Sequence, residues 1–142
     1  MTRVEKGRNY FLSGYNCVQS VVLAFADDLD LDEEFLAKMS SGFGGGIGGL
    51  RGICGTVTGM IIVNNIMNGN ITEDGKKEHY ESTRNLVEKF EAIYETSTCS
   101  ELLDFLELDA DPLPRTEEYY KTRPCVRFVE TAVEILEKNI LK

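Results

Sequence analysis

Gly42-Phe43-Gly44-Gly45-Gly46-Ile47-Gly48-Gly49-Leu50-Arg51-Gly52 is the stretch on which the fold turns. Seven of these eleven residues are glycine, and Gly44, Gly46 and Gly49 satisfy the G-x-G-x-x-G spacing of a dinucleotide-binding turn. That spacing has meaning only where a strand precedes it within a parallel sheet. What precedes it here, Glu33 to Met39, has the pattern of an amphipathic helix. A phosphate loop of the other kind needs Gly-Lys followed by Ser or Thr, which does not occur here. The run is therefore expected to be structural, letting the backbone turn tightly and pass close to another helix or a bulky group. With no strand before it, the chain is expected to be all-α rather than α/β.

Working outward, no segment shows the period-two alternation of a half-buried strand. Six or seven helices are expected, over residues 2 to 12, 16 to 28, 32 to 40, 53 to 68, 73 to 95, 98 to 107 and 124 to 141. Asn16, Asp32, Thr72, Thr98 and Pro124 mark their starts, all residue types suited to the first positions of a helix. Breaks are expected at Gly14, at the glycine run, at Asn68-Gly69-Asn70 and at Asp111-Pro112-Leu113-Pro114. Gly55 and Gly59, one turn apart, form a small-residue face for close helix packing. A chain of 142 residues can bury a real core without disulfide staples, so one compact bundle, a single domain over residues 1–142, is expected.

The net charge of −9, with scattered Lys and Arg, argues against a nucleic-acid partner. Met1 to Arg8 contains no apolar run of signal-peptide length, and the run around Met60 to Val63 is too short to span a bilayer. A cytoplasmic protein with no membrane partner is expected, and in that reducing compartment cysteines serve as ligands or redox thiols more often than as cross-links. His79 is the only histidine, which leaves little material for Cys/His catalysis or His-rich metal sites. The carboxylates lie on mixed-charge faces, as in Glu88-Lys89 and Glu117-Glu118 near Lys121, so no acid–base pair is nominated. The six tyrosines read as core and surface aromatics rather than a cofactor cage.

Four cysteines remain: Cys17, Cys54, Cys99 and Cys125. Each reads as lying in the first turn of a helix: Cys17 after the cap Asn16, Cys54 after the glycine run, Cys99 in the capping-box spacing Thr98-Cys99-Ser100-Glu101, and Cys125 after Pro124. After Pro124, Val126, Val129, Val133, Leu136 and Ile140 recur at intervals of three and four. A helix N-terminus carries about half a positive charge and eases deprotonation of a thiol placed there. Arg51 before Cys54, and Arg123 and Arg127 around Cys125, work in the same direction where they approach the sulfurs. No two cysteines are closer than 26 residues, so neither the paired C-x-x-C of zinc sites nor that of thioredoxin-like enzymes is present.

The stretches Gly14-Tyr15-Asn16-Cys17-Val18-Gln19-Ser20-Val21-Val22-Leu23-Ala24-Phe25, Ser41 to Gly48 with Cys54-Gly55-Thr56-Val57-Thr58-Gly59, Cys99-Ser100-Glu101-Leu102-Leu103 and Arg123-Pro124-Cys125 resemble the redox-active C_GCAxxG_C_C family. The resemblance covers almost the whole chain and takes in all four cysteines in order. Thr56 departs from it, standing where Ala usually follows Cys-Gly. The resemblance implies a small helical protein with a redox role whose four cysteines form one site. Two mechanisms follow. In one, the four thiolates ligate an iron-sulfur cluster, most simply [2Fe-2S], for electron transfer to a separate partner protein. In the other, two of them form a reversible disulfide, as in a thiol-disulfide oxidoreductase or redox sensor. Structural zinc and a non-redox helical interaction module stay open, as does a homodimer.

Overall fold

Polar side chains start the helices where the sequence places them. Asn16 accepts a hydrogen bond from the Gln19 N–H while Gln19 accepts one from the Asn16 N–H, a reciprocal capping box. Thr2 caps the first helix through the Glu5 N–H, and Asp32 caps the fourth through the Phe35 N–H. The computed structural model describes residues 1–105 and 125–141. Within them the α-helices are α1 (Arg3–Leu12), α2 (Cys17–Ala24), α3 (Ala26–Leu29), α4 (Glu33–Ser40), α5 (Gly55–Asn68), α6 (Lys76–Tyr94), α7 (Cys99–Phe105) and α8 (Cys125–Asn139), with a 3-10 turn at Ser41–Phe43. There is no strand among the described residues, so the all-α expectation holds; the single extended pairing is an isolated bridge between Ile53 and Thr98.

α2 is the axis of the core. Val18, Ser20, Val21, Val22, Leu23 and Ala24 are all buried, the mark of a helix covered on every side. α1, α4, α5 and α8 pack around it. α8 is one-sided, burying Phe128, Val129, Ala132, Val133, Ile135 and Leu136. α6 buries only Leu86 and Phe90 and covers α5 and α8 from outside. Where α5 crosses α2, a Cβ on Gly59 would lie 2.8 Å from Val21 Cβ, so only glycine permits this approach, and the small-residue face read from the sequence faces a neighbouring helix. Arg3 on α1 pairs with Asp28 at 2.7 Å and with Glu137 of α8 at 3.2 Å, tying the first and last described helices to α3.

The boundaries differ from the sequence reading in specific places. The expected helix over 16–28 breaks at Phe25, which is fully buried and leaves helical geometry, so α3 is a separate short turn ended by Asp30 at φ +53. α6 starts at Lys76 rather than 73: Asn70 donates to the Thr72 carbonyl in a local turn, and Gly75 occupies the N-cap position expected of Thr72. Ile53 lies outside α5 because it pairs with Thr98. The Thr98–Glu101 capping box is replaced by a relay, in which the Thr98 N–H donates to Thr96 Oγ1 and Thr96 donates to the Glu101 carboxylate. Pro124, Arg123, the Asp111–Pro114 break, the Glu117–Lys121 charges and the end of the 98–107 helix lie outside the described residues.

Candidate functional site

The cysteines stand at the N-terminal ends of four different helices. Cys17, Cys99 and Cys125 are the first residues of α2, α7 and α8, and Cys54 is the N-cap of α5. Two local arrangements bring these ends together. Gly55 leaves room for α2: a Cβ there would lie 3.1 Å from Cys17 Cβ and 3.0 Å from Val18 Cγ2. On the other side a short antiparallel strap joins Cys54 to Cys99. The Cys54 N–H donates to the Ser97 carbonyl at 2.7 Å, the Cys99 N–H to the Gly52 carbonyl at 2.6 Å, and the Ser100 N–H to the Arg51 carbonyl at 3.2 Å.

The glycine run closes the site from above. Gly45, Gly46, Ile47, Gly48 and Gly49 all have positive φ, a stretch of left-handed backbone that residues with side chains adopt only at a cost. At Gly46 a Cβ would meet the backbone of Arg51 and Gly52 at 2.5 to 2.7 Å. The amides of residues 47 through 52 all donate to carbonyls within the loop, including Gly48 to Gly42 and Gly52 to Gly46, each at 2.9 Å. With α4 rather than a strand before it, the run lacks the setting of a dinucleotide turn.

Beneath the loop lies a cavity of about 440 Å³ lined by Cys17, Cys54, Cys99 and Cys125, by Arg51 and by six of the glycines, with Leu102, Leu103 and Phe128 as apolar wall. No disulfide joins any of the cysteines. Among the described residues no three His, Cys, Asp or Glu side chains are gathered so as to hold one metal ion. His79 lies elsewhere, its Nε2 at 2.6 Å from Asn65 Oδ1.

Charge in the cavity is set by burial and by one guanidinium. Cys54 is 4% exposed, and burial pushes its thiol from 9.0 up to about 11, with Cys125 and Cys99 acting in the same direction. The expectation that a helix N-terminus eases deprotonation therefore fails at Cys54, where desolvation outweighs it. Thr56 opposes the rise through its hydroxyl, 3.1 Å from the sulfur. Arg51, at φ +61, donates from Nη1 to Cys99 Sγ at 3.7 Å, while its Nε is buried with no hydrogen-bond partner among the described residues. A buried donor left over on a cation fits an anionic occupant, such as thiolates ligating a cluster. Thr56 appeared in the sequence only as a departure from a pattern; its place two residues after a helix-capping cysteine is the signal that points to the sulfur.

Among the described residues no helix is long and apolar enough to cross a membrane. Searched against curated proteins and against solved structures, the chain matches none. A family model described as Putative redox-active protein (C_GCAxxG_C_C) matches residues 15–139, a span that holds all four cysteines, the glycine loop and Arg51, and the chain belongs to that family.

Proposed function

We propose that this chain is a cytoplasmic electron-transfer protein in which Cys17, Cys54, Cys99 and Cys125 hold an iron-sulfur cluster, [2Fe-2S] being the simplest that four thiolates complete. The observation that carries this reading is the shared cavity: four thiols from four helices face it together with Arg51. A cavity of about 440 Å³ has room for a polynuclear group. When bound, the cluster supplies a one-electron couple. The protein's part is to ligate it, shield it beneath the glycine loop, and balance its negative charge through Arg51.

A second reading is favoured by the asymmetry of two thiols. Cys99, partly exposed and touched by Arg51, suits an attacking thiolate, and buried Cys54, joined to it by the strap, suits a resolving thiol. The Cys99 thiolate would attack a substrate disulfide and release one thiolate; Cys54 would then attack the mixed disulfide, release the second, and leave a Cys54–Cys99 disulfide. Anaerobic purification with iron and sulfide analysis separates the two. The cluster reading expects a brown protein, and Cys→Ser at any of the four positions weakens or alters its absorption. A colourless, metal-free protein with a reversible two-electron couple that needs only two cysteines would replace the cluster with thiol exchange.

A further inference from the structure

The geometry points to Thr56 as a positioning residue that sets the reduction potential of the site through Cys54, an inference that rests on the cluster reading. Thr56 is 0% exposed, and its Oγ1 lies 3.1 Å from Cys54 Sγ. In a bare thiol either atom can donate. A cysteine that ligates iron has no proton, so the pair then has one sense: the Thr56 hydroxyl donates to the sulfur. The Cys54 side chain accepts no backbone cap hydrogen bond from α5, so the hydroxyl is the donor that Thr56 brings to this sulfur.

The consequence is directional. When a one-electron donor reduces the site, no bond breaks and one negative charge is added, part of it on the ligating sulfurs. A hydrogen bond to sulfur is stronger for the more negative state, so it favours reduction and raises the potential. The surroundings enlarge the effect, because Cys54 is buried, away from the water that would otherwise solvate the added charge. The hydroxyl can be removed with little change of volume, since Val has nearly the shape of Thr.

The test uses anaerobically purified full-length protein with Thr56→Val, Thr56→Ala and Thr56→Ser. Iron and sulfide per chain are measured first, then the midpoint potential by dye-mediated titration, with visible absorption as a second readout. Thr56→Val and Thr56→Ala are expected to bind as much iron as the parent and to shift the potential downward. The expected size is about a tenfold change in the oxidised-to-reduced ratio at fixed potential, or about 60 mV for one electron. Thr56→Ser, which restores the hydroxyl, is expected to return close to the parent. Should the valine protein fail to fold, the alanine and serine pair carries the same comparison. Full cluster with an unchanged potential in Thr56→Val or Thr56→Ala overturns this inference and leaves the cluster reading standing. A parent protein without iron and sulfide overturns both.

Discussion

Gly59→Ala tests whether α2 and α5 are as closely packed as the site requires. In an ordinary helix interior the change stabilises by about 0.8–1 kcal/mol, because alanine loses less backbone entropy than glycine. Here the new Cβ would lie 2.8 Å from Val21 Cβ, 3.1 Å from Val21 Cγ1 and 3.3 Å from the Val18 carbonyl oxygen. Rotation of the Val21 side chain moves Cγ1 but not Cβ, which the backbone fixes. Relief must therefore come from a shift of α5 away from α2. Overpacking costs about 1–3 kcal/mol, and a 2.8 Å approach between two Cβ atoms that no rotamer change relieves belongs to the upper part of that range, about 2–3 kcal/mol; the net effect is destabilisation of about 1–2 kcal/mol and a thermal midpoint lower by about 3–10 °C. Gly42→Ala is the control, since a Cβ there meets nothing within 4 Å and its φ is not positive. The assay is thermal unfolding of both variants by circular dichroism, with iron content measured alongside, because α5 carries Cys54 at its start and α2 carries Cys17. A Gly59→Ala protein as stable as the parent, or more so, would refute the packing argument.

Three further perturbations address other parts of the molecule. The Arg3 guanidinium holds the Asp28 carboxyl below its ordinary 3.8; a depressed carboxyl contributes stability above that value and loses it as pH falls further, so the gap between the parent and Asp28→Asn in urea titrations should close below about pH 3.8. Gly46→Ala places a Cβ against the Arg51 and Gly52 backbone at φ +71, and is expected to leave helical circular dichroism nearly intact while cutting iron loading, since the loop carries none of the α-helices but roofs the cavity. Asn64, 1% exposed, donates to Ser82 Oγ at 3.1 Å and accepts from Asn68 at 3.2 Å; Asn64→Ala should lower the denaturant midpoint by the equivalent of about 1–3 kcal/mol with the slope unchanged, and no change in midpoint would count against the network.

The all-helical architecture was legible because helix caps are local. Asn16 and Asp32 each satisfy an N–H three residues on, and that chemistry is written in adjacent residues. What failed depended on residues elsewhere. Phe25 breaks a continuous helical pattern at a position buried in the core, and Thr72 loses its capping role to a turn made by Asn70. The strap between residues 51–54 and 97–100 is too short to show alternation, yet it sets Cys99 beside Cys54. The placement of each cysteine at a helix start could be read from its neighbours. That all four face one cavity could not be read from spacing, since each comes from a different helix and depends on how the helices pack; it was the family resemblance that pointed there. The burial of Cys54 was equally hidden, because it depends on packing by the rest of the fold.

That burial is where the two redox readings divide. Raising a buried thiol from 9.0 to about 11 corresponds to roughly 3 kcal/mol against the thiolate. A helix N-terminus offers about 0.3–1 kcal/mol in return, too little to ionise Cys54 at neutral pH, and the nearby sulfurs Cys99 and Cys125 add to the opposition. Four ionised thiols around one cavity therefore require positive charge placed among them, beyond what the single Arg51 guanidinium supplies. A metal-based core provides that charge, and Thr56 and Arg51 then distribute what is left over. Disulfide chemistry makes a smaller demand, one thiolate at a time, and of the two sulfurs joined by the strap Cys99 has the Arg51 guanidinium beside it whereas Cys54 is buried. On the cluster reading Cys54 is a permanent thiolate whose burial is offset by its ligand bond, and its replacement by serine costs iron. On the thiol-exchange reading it is a reserve nucleophile whose burial delays it until needed, and the same replacement traps a mixed disulfide on Cys99. The two outcomes of that one substitution differ in kind rather than in degree, so Cys54 is the residue at which the chemistry of this cavity is decided.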